Sequence, residues 1–347
     1  MVPFSTNSSK ILYRVRYLPP TSDFRTKFEY QNVMYHLAGE AAGRAAGVEW
    51  PDLIQERIFS PLEMNSTSAR YDDFVRSPNR VSNHREVNGT FVVVDPLNYD
   101  PISPAGGISS SINDMAKWVI LQVNDGSYHG KQVISPASMA ETHRMQIVDD
   151  AGDEYVSGYG LGWFIVYGKQ GMTIYHGGST TSSTSNVVIL PGEDIGIVVL
   201  CNKGPSPSLA EAICLTFRDI YRKGEPAIDY YEFLKKSQDP WFEGQPLGQL
   251  PAAPENATPA LPLEAYTGRY SSDYYGFITI AEDGDGLKIF TGNNPVPFNA
   301  THWSGNTFMD DSRLPVIFSV DRNVSTRVFL QMLDFNGRNG TFVRTGG

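Results

Sequence analysis

Apolar residues recur at the spacing of an α-helix in several stretches of the first two thirds of the chain. The clearest stretch begins after Ser110 or Ser111, either of which can cap a helix, and ends at the turn sequence NDG. One apolar stripe runs along it: Met115, Trp118, Val119 and Val123. The same spacing predicts further helices over 33–47, 50–58, the segment near 135–145, and 207–224 with Gly224 as its C-cap.

The pattern changes between residues 159 and 203. Runs such as MTIYHGG, TSNVVILPG and IGIVVLCN are short and apolar or alternating, with turn residues at most joints, which predicts an antiparallel meander. Residues 239–262 are rich in Pro, Gly and Ala and are predicted to form a linker. Short strands with the tight turns DGDG and NG follow, and they predict a small all-β barrel. The fold class is therefore α+β, with domains over 1–238 and 263–347.

Composition narrows the functional classes. The chain has 347 residues, 41% of them hydrophobic and 19% charged, as in globular proteins. Its net charge of -10 argues against nucleic acid as a partner, and no run of 18 apolar residues predicts a membrane span. Cys201 and Cys214 are too few for a disulfide framework. The histidines are scattered without metal-ligand spacing, so neither a metal nor a cofactor is predicted.

Glycosylation sequons point to the secretory pathway. The triplet N-x-S/T occurs seven times, at Asn7, Asn65, Asn88, Asn256, Asn299, Asn323 and Asn339. Chance would give about two or three in a chain of this composition. The first residues lack the apolar region of a signal peptide. We therefore expect a secretory localisation for the full-length parent of this chain, with no signal peptide in the chain itself.

Two short stretches carry candidate chemistry. FEYQN, residues 28–32, stands before the helix at 33–47, where Asn is a favoured N-cap and an aromatic residue can simply pack. YHGGST, residues 175–180, ends a predicted strand. His-Gly-Gly can supply oxyanion N–H groups in α/β-hydrolases, but their G-x-S-x-G elbow is absent. The alternative is a strand edge where two glycines let a substrate carbonyl approach the backbone. Nearby aromatic residues could line a cleft or only pack: Tyr155, Tyr159, Trp163 and Tyr175.

Five motifs follow one another in order: YQN, AAGVEWPDLIQERIFSPLEMNST, PAGGISSSINDMAKW, YGLGW and YHGGST. Together they resemble the serine β-lactamase and penicillin-binding-protein superfamily, in the branch with class C β-lactamases, carboxypeptidases and esterases. Residues 262–346, with YTGRY, YGFITI and LKIF, resemble the lipocalin-like barrel that follows such domains in some members. The resemblance implies a transpeptidase-like domain, an antiparallel sheet flanked by helices, and acyl transfer through a serine ester.

The resemblance also implies roles for single residues. Tyr30 would relay a proton to or from the nucleophile and leaving group, and Asn32 would hydrogen-bond the substrate amide or the active-site lysine. His176 takes the place of the lysine in the K-T-G motif, as in esterase-like members. Gly177 and Gly178 would line the substrate strand. The backbone N–H of Ser179 would form half of the oxyanion hole.

The sequence departs from the family at the nucleophile. Family members carry S-x-x-K far upstream of Y-x-N, but only 29 residues precede Tyr30. No lysine of the chain has Ser three residues before it, and Lys10 follows Asn7 at that spacing. The family helix bearing that serine and two strands beside IGIVVLCN would be missing too. We therefore expect a chain truncated at its N-terminus, with an apolar edge strand.

Two functional classes follow. The first is a serine hydrolase or acyltransferase for a small-molecule or peptide ester or amide, inactive as written because its nucleophile is absent. Without the lysine, Tyr30 should stay protonated near neutral pH. The second is a non-catalytic binding or regulatory protein that keeps the substrate groove. The sequence predicts neither the substrate nor the oligomeric state.

Overall fold

The computed structural model describes residues 7–87, 89–242, 254–294, 297–310, 314–334 and 340–345. By its internal contacts the chain divides into two compact units, which are described separately. The larger is Pro20–Glu243, and the smaller combines Met1–Pro19 with Gly244–Gly347. Of the predicted linker 239–262, residues 243–253 lie outside the described residues.

The described helices, in chain order, are α1 Ser8–Arg14, α2 Asn32–Ala46, α3 Trp50–Ile54, α4 Tyr71–Arg76, α5 Ser103–Gly106, α6 Ile112–Val123, α7 Pro136–Thr142, α8 Ser208–Lys223 and α9 Tyr230–Phe242. The strands of the larger unit are β1 Asn83–Val87, β2 Thr90–Val94, β3 Ser127–Tyr128, β4 Lys131–Gln132, β5 Ile147–Ala151, β6 Tyr155–Tyr159, β7 Phe164–Gly168, β8 Gly171–Ser179, β9 Thr184–Leu190, β10 Ile195–Cys201 and β11 Lys203–Gly204. Those of the smaller unit are β12 Gly268–Ser272, β13 Gly276–Asp283, β14 Gly286–Thr291, β15 Phe298–Ser304, β16 Thr307–Asp310, β17 Pro315–Asp321, β18 Val324–Leu330 and β19 Thr341–Arg344.

The centre of the larger unit is a six-stranded antiparallel sheet in the order β10-β9-β8-β7-β6-β5. One face packs on α6, where Val119 meets Ile174 and Ile189. The opposite face packs on α8, with Cys214 against Val188. Alternate residues of β9 thus point to opposite faces, and both faces are apolar because both are covered. The predicted meander and its flanking helices are confirmed.

Helix starts and stops follow local chemistry. The predicted cap at Ser111 is confirmed, because its Oγ accepts a hydrogen bond from the backbone N–H of Asp114 at 3.3 Å. Gly224 ends α8 with φ of 85°, as predicted. At α2 the cap is Gln31 rather than Asn32. The Gln31 side chain accepts from the N–H of Val33 at 3.2 Å, so Asn32 becomes the first helical residue.

The smaller unit confirms the predicted barrel. Strands β12 to β19 close into a ring in sequence order. Its core contains fully buried aromatic residues: Tyr266, Tyr270, Tyr275, Phe308 and Phe342. The Tyr275 hydroxyl donates to the carbonyl of Leu333 at 2.7 Å, which satisfies a buried polar group. The DGDG turn joins β13 to β14 with Asp283 paired to Gly286. The predicted NG turns near 336–340 fall largely outside the described residues.

The two edges of the six-stranded sheet differ in charge. At one edge, β5 carries Asp149 and Asp150. At the other, β10 has the sequence IGIVVLC without a charged residue, and among the described strands it pairs only with β9. Uncharged apolar edges invite pairing with another chain, whereas charged ones discourage it. This is the apolar edge that the sequence predicted.

Asp114 is a buried residue of α6, and its carboxylate ties α6 to the loop that precedes α4. It accepts hydrogen bonds from the N–H of Ser66 at 2.7 Å, from Thr67 Oγ1 at 2.9 Å and from Lys117 Nζ at 3.0 Å. Burial by itself would raise the pKa of Asp114, but these hydrogen bonds outweigh burial and lower it. The ionised form is therefore the one that stabilises the fold.

We predict that Asp114→Asn lowers the free energy of unfolding by about 1–3 kcal/mol at neutral pH, because a charge-assisted acceptor is lost. Since the pKa of Asp114 is lowered by folding, this stabilisation is present above the unfolded pKa and is lost as pH falls through the folded pKa. Urea unfolding at several pH values measures the difference. The exposed Asp72→Asn should change stability by less than about 0.5 kcal/mol. If the loss of unfolding free energy in Asp114→Asn were the same in acid as at neutral pH, the ionised form of Asp114 would not be the stabilising one.

We also predict that the purified chain associates through β10. Leu200→Lys places a charge on that edge and should reduce concentration-dependent association, measured by sedimentation velocity. The matched control is Val148→Lys on the opposite edge strand. Leu200 is 39% exposed and Val148 is 54% exposed, so neither substitution buries the new charge. A wild-type chain that stays monomeric at all concentrations, or equal effects of both substitutions, would refute this.

Candidate active site

Strand β8 runs past the end of its neighbour. It pairs with β7 only as far as Tyr175, opposite Phe164, but with β9 it continues to Ser179, opposite Thr184. Residues 176–179 therefore have a strand on the β9 side and, among the described strands, none on the β7 side. We call this side the free edge. Such an edge can bind an extended ligand through main-chain hydrogen bonds.

The two glycines at the free edge have different reasons for being there. A Cβ at Gly178 would lie 2.8 Å from Ser185 Oγ, so the Ser185 hydroxyl would have to rotate away to admit a side chain. At Gly177 the nearest atom would be 3.6 Å away, so a side chain would fit. Both residues are exposed. Packing therefore does not require a glycine at position 177.

Aromatic rings surround His176 beside this edge. The ring of Tyr30 lies 6.1 Å from that of His176, Phe164 lies at 5.5 Å and Tyr159 at 6.0 Å. Phe28 packs on Tyr159 at 5.2 Å. The two sequence stretches singled out as candidate chemistry, FEYQN and YHGGST, therefore meet in space, where Tyr30 of the first lies beside His176 of the second.

A hydrogen bond from the sheet to α2 fixes this meeting. The N–H of Gly162, in the turn between β6 and β7, donates to the hydroxyl of Tyr35 at 2.8 Å. Gly162 has a φ of 84°, a conformation that glycine adopts without strain. Tyr35 lies one helical turn after Asn32, so this bond positions the start of α2, and Tyr30 before it, over the sheet.

Both ring nitrogens of His176 have partners. Nδ1 lies 2.6 Å from the carbonyl oxygen of Gly177, and Nε2 lies 3.0 Å from the hydroxyl of Tyr159. A carbonyl can only accept, so Nδ1 carries the proton. Burial lowers the pKa of His176 more than the Gly177 carbonyl raises it. His176 is therefore neutral near pH 7, unlike a lysine.

The phenols of the site are also uncharged. Burial, and then the nearby Tyr35 phenol, raise the pKa of Tyr30. Burial raises the pKa of Tyr159, and Tyr35 and Tyr30 add to the effect. Tyr30 is 49% exposed whereas Tyr159 is 6% exposed, so of these two it is Tyr30 that a ligand can reach.

The remaining predicted residues are placed as follows. Asn32 is exposed in the first turn of α2, and among the described residues its side chain has no hydrogen bond. The hydroxyl of Ser179 donates to the carbonyl of Pro205. It is therefore not paired with His176, whose Nε2 belongs to Tyr159.

The rings of the other candidate aromatics do not contact that of His176, although Tyr175 stacks on Phe164 at 5.3 Å between ring centres. Trp163 lies in the core beneath α6, and Tyr175 packs toward α8. Tyr155 is exposed and bonds Asp150. Sequence reasoning missed Tyr35 and the specific partner of Tyr159, because nothing in the spacing of a single chain signals which hydroxyl reaches His176.

Two further features of the described residues bear on the site. They contain no cluster of three or more His, Cys, Asp or Glu side chains suited to hold a metal. Across the same residues, no helix combines the length and apolar character needed to cross a membrane.

The chain matches the model of the family described as Beta-lactamase over residues 3–213, which is more than half of its length. Residues 252–344 match a domain of unknown function (DUF3471).

Individual relatives are distant. The chain is 25% identical over 79% of its length to the unguisins hydrolase ungD' of Aspergillus campestris, and 26% identical over 80% to the unguisins hydrolase ungD of Aspergillus violaceofuscus. It is 26% identical over 53% of its length to a beta-lactamase of Escherichia coli K12. It spans about half the length of these relatives, at 53%, 54% and 54% of each.

A solved structure shows the same fold. The octameric penicillin-binding protein homologue from Pyrococcus abyssi aligns with a TM-score of 0.52 over 98% of this chain and 75% of its own. The two are 18% identical, so the likeness concerns the fold alone.

We predict that Tyr30 remains protonated through the neutral range, because burial and Tyr35 raise its pKa above the ordinary value of about 10. Carbon-13 NMR of ring-labelled tyrosine, followed through a pH titration, measures this directly. The Tyr30→Phe variant assigns the signal. Ionisation of Tyr30 between about pH 7 and 9 would mean that a cation acts on the phenol.

Proposed function

Because the chain belongs to the Beta-lactamase family, we propose that its larger unit supplies the substrate-binding face of an acyl-serine hydrolase site. One observation carries the proposal: the free edge of β8 lies beside the phenol of Tyr30, with the ring of His176 6.1 Å from that of Tyr30. An acyl substrate laid along the edge would place its carbonyl near Tyr30. Main-chain hydrogen bonds would orient it.

In this proposal Ser179, Tyr30 and Asn32 have different roles. The backbone N–H of Ser179 stabilises negative charge on the acyl oxygen. Tyr30, which keeps its proton, donates it to a leaving group instead of acting as a base. Asn32, exposed at the start of α2, hydrogen-bonds the substrate amide.

The reaction class is hydrolysis of an ester or amide. Relatives with the name unguisins hydrolase support a hydrolase over an acyltransferase. The family and the size of the free edge support a small-molecule or peptide substrate.

The nucleophile is not among these residues. No lysine of the sequence follows Ser at the S-x-x-K spacing, and the hydroxyl of Ser179 is bonded to Pro205. Loss of a nucleophile in serine hydrolases removes on the order of 10⁴–10⁶ of the rate. We therefore propose that the chain as written forms no acyl-enzyme.

A second candidate is a non-catalytic binding protein. It is favoured by the same observation, since Nε2 of His176 is bonded to Tyr159 and the hydroxyl of Ser179, the serine of the free edge, is bonded to Pro205. Both candidates require ligand binding at the edge, and they differ in whether a covalent acyl group is ever formed.

We predict no covalent labelling by a fluorophosphonate or a fluorescent penicillin, measured by intact mass followed by peptide mapping. The Escherichia coli beta-lactamase serves as the positive control for the penicillin. Labelling of this chain at one specific residue would refute the claim that the nucleophile is missing and would identify the residue that replaces it.

Binding is tested separately. Backbone amide NMR signals of Gly177 and Gly178 should shift with N-acetylglycine N-methylamide, a minimal acyl amide. Gly177→Val should fold normally, because the site has room for a Cβ, but should weaken binding by about tenfold or more, since it blocks the edge. The matched control is Gly192→Val, which also has room and lies in a turn before β10. If only signals of other residues shifted, or if both variants bound the probe equally well, ligand binding at the free edge would be refuted.

A further inference from the structure

The hydrogen bond between Tyr159 and His176 has a fixed direction. The carbonyl of Gly177 accepts from Nδ1, so in the neutral ring Nε2 has a lone pair and no proton. The hydroxyl of Tyr159, 3.0 Å from Nε2, must then be the donor. Every proton of this pair is assigned by one backbone carbonyl that can only accept.

Protonating His176 would break this arrangement. A proton on Nε2 would face the proton of Tyr159, and the buried hydroxyl would have to turn away from the ring. Tyr159 is only 6% exposed, so water cannot readily take its place. Tyr35 also hydrogen-bonds this hydroxyl, so Tyr159 would keep that partner but would lose the Nε2 lone pair to which it donates, and a lost buried hydrogen bond is costly. Tyr159 therefore opposes a positive charge on His176.

The neighbours of His176 supply no charge that would change this. The groups that face it are the phenols of Tyr30 and Tyr159 and the ring of Phe164. Tyr35 lies behind Tyr159, at 6.3 Å between ring centres. Within the described part of the chain, no carboxylate, ammonium or guanidinium contributes to the pKa of His176, Tyr30 or Tyr159.

We propose that Tyr159 is a positioning residue that holds His176 as a neutral Nδ1–H imidazole, and that the free edge therefore takes an uncharged ester or internal amide. A substrate with a carboxylate next to the acyl carbon would lose hydration there and gain no cation in return. This inference rests on the proposed function for the choice of ligand, but the state of His176 does not depend on it.

The first test is nitrogen-15 NMR of the histidine side chains in the full chain. The signal is assigned with His176→Gln. In the wild type, one protonated and one unprotonated nitrogen should persist as pH falls from about 8 to 6. Tyr159→Phe keeps the ring but removes the donor to Nε2, so His176 should remain an Nδ1–H imidazole at high pH but take up its second proton at higher pH than in the wild type. A merely structural role of Tyr159 would not alter the pH at which His176 is protonated.

The matched control is Tyr155→Phe. Tyr155 lies on the same strand as Tyr159, but its hydroxyl bonds Asp150 at the surface. This variant should leave the His176 signals unchanged. A wild-type His176 that takes up its proton at the ordinary value for histidine, or a Tyr159→Phe spectrum identical to that of wild type, would overturn the role of Tyr159.

The second test compares two probes that differ by one charge, N-acetylglycine N-methylamide and N-acetylglycine. The amide should shift the His176 signal at roughly tenfold lower concentration than the carboxylate, which corresponds to about 1.4 kcal/mol. Equal or tighter binding of the carboxylate, or no response to either probe, would overturn the substrate inference. No response to either would also count against the proposed function, whereas the tautomer result would stand by itself.

Discussion

The pairing of β8 with β9 for four residues beyond the end of β7 is the constraint on which the candidate site depends. A strand inside a sheet normally forms backbone hydrogen bonds with the strands on both sides. Here the sheet supports His176 to Ser179 from one side and leaves the other side open. The position is thus held by pairing with β9 and yet accessible. A loop could offer the same groups only after losing conformational entropy on binding.

The chemistry of the site follows from its burial as much as from its residue types. Histidine and tyrosine are versatile acids and bases in water, but here desolvation pushes both toward their neutral forms. His176 donates one hydrogen bond to a carbonyl and accepts one from a phenol, and both bonds favour the neutral ring. A site of this kind orients and recognises an uncharged group well. It does not activate a nucleophile, which needs a base that can gain a proton.

Much of the fold could be predicted from the sequence, since its signals are local. Ser111 is the N-cap of α6 and Gly224 ends α8. The change in the spacing of apolar residues near residue 159 marks the sheet. The start of α2 was harder, because Gln31 and Asn32 are both able to accept from the first N–H groups, and only geometry decides between them. Of the candidate site, the meeting of Tyr30 with His176 came from motifs and not from any rule of spacing. The partner of His176 lies 17 residues away on another strand, and no local pattern encodes such a contact.

Binding and bond-making are separable in this architecture. The free edge, the glycines and the His176 pair are built from β6, β8 and β9 and from the turn that Tyr35 holds, and none of these elements needs a serine to keep its shape. A nucleophile would have to approach Tyr30 from the exposed side, where the phenol is half accessible. It would meet a proton donor and not a base, because the pKa of Tyr30 is raised in this chain. A cation brought close to Tyr30 would lower that pKa and turn the same phenol toward base catalysis. On the proposed function, the group that supplies the serine must therefore also supply the positive charge.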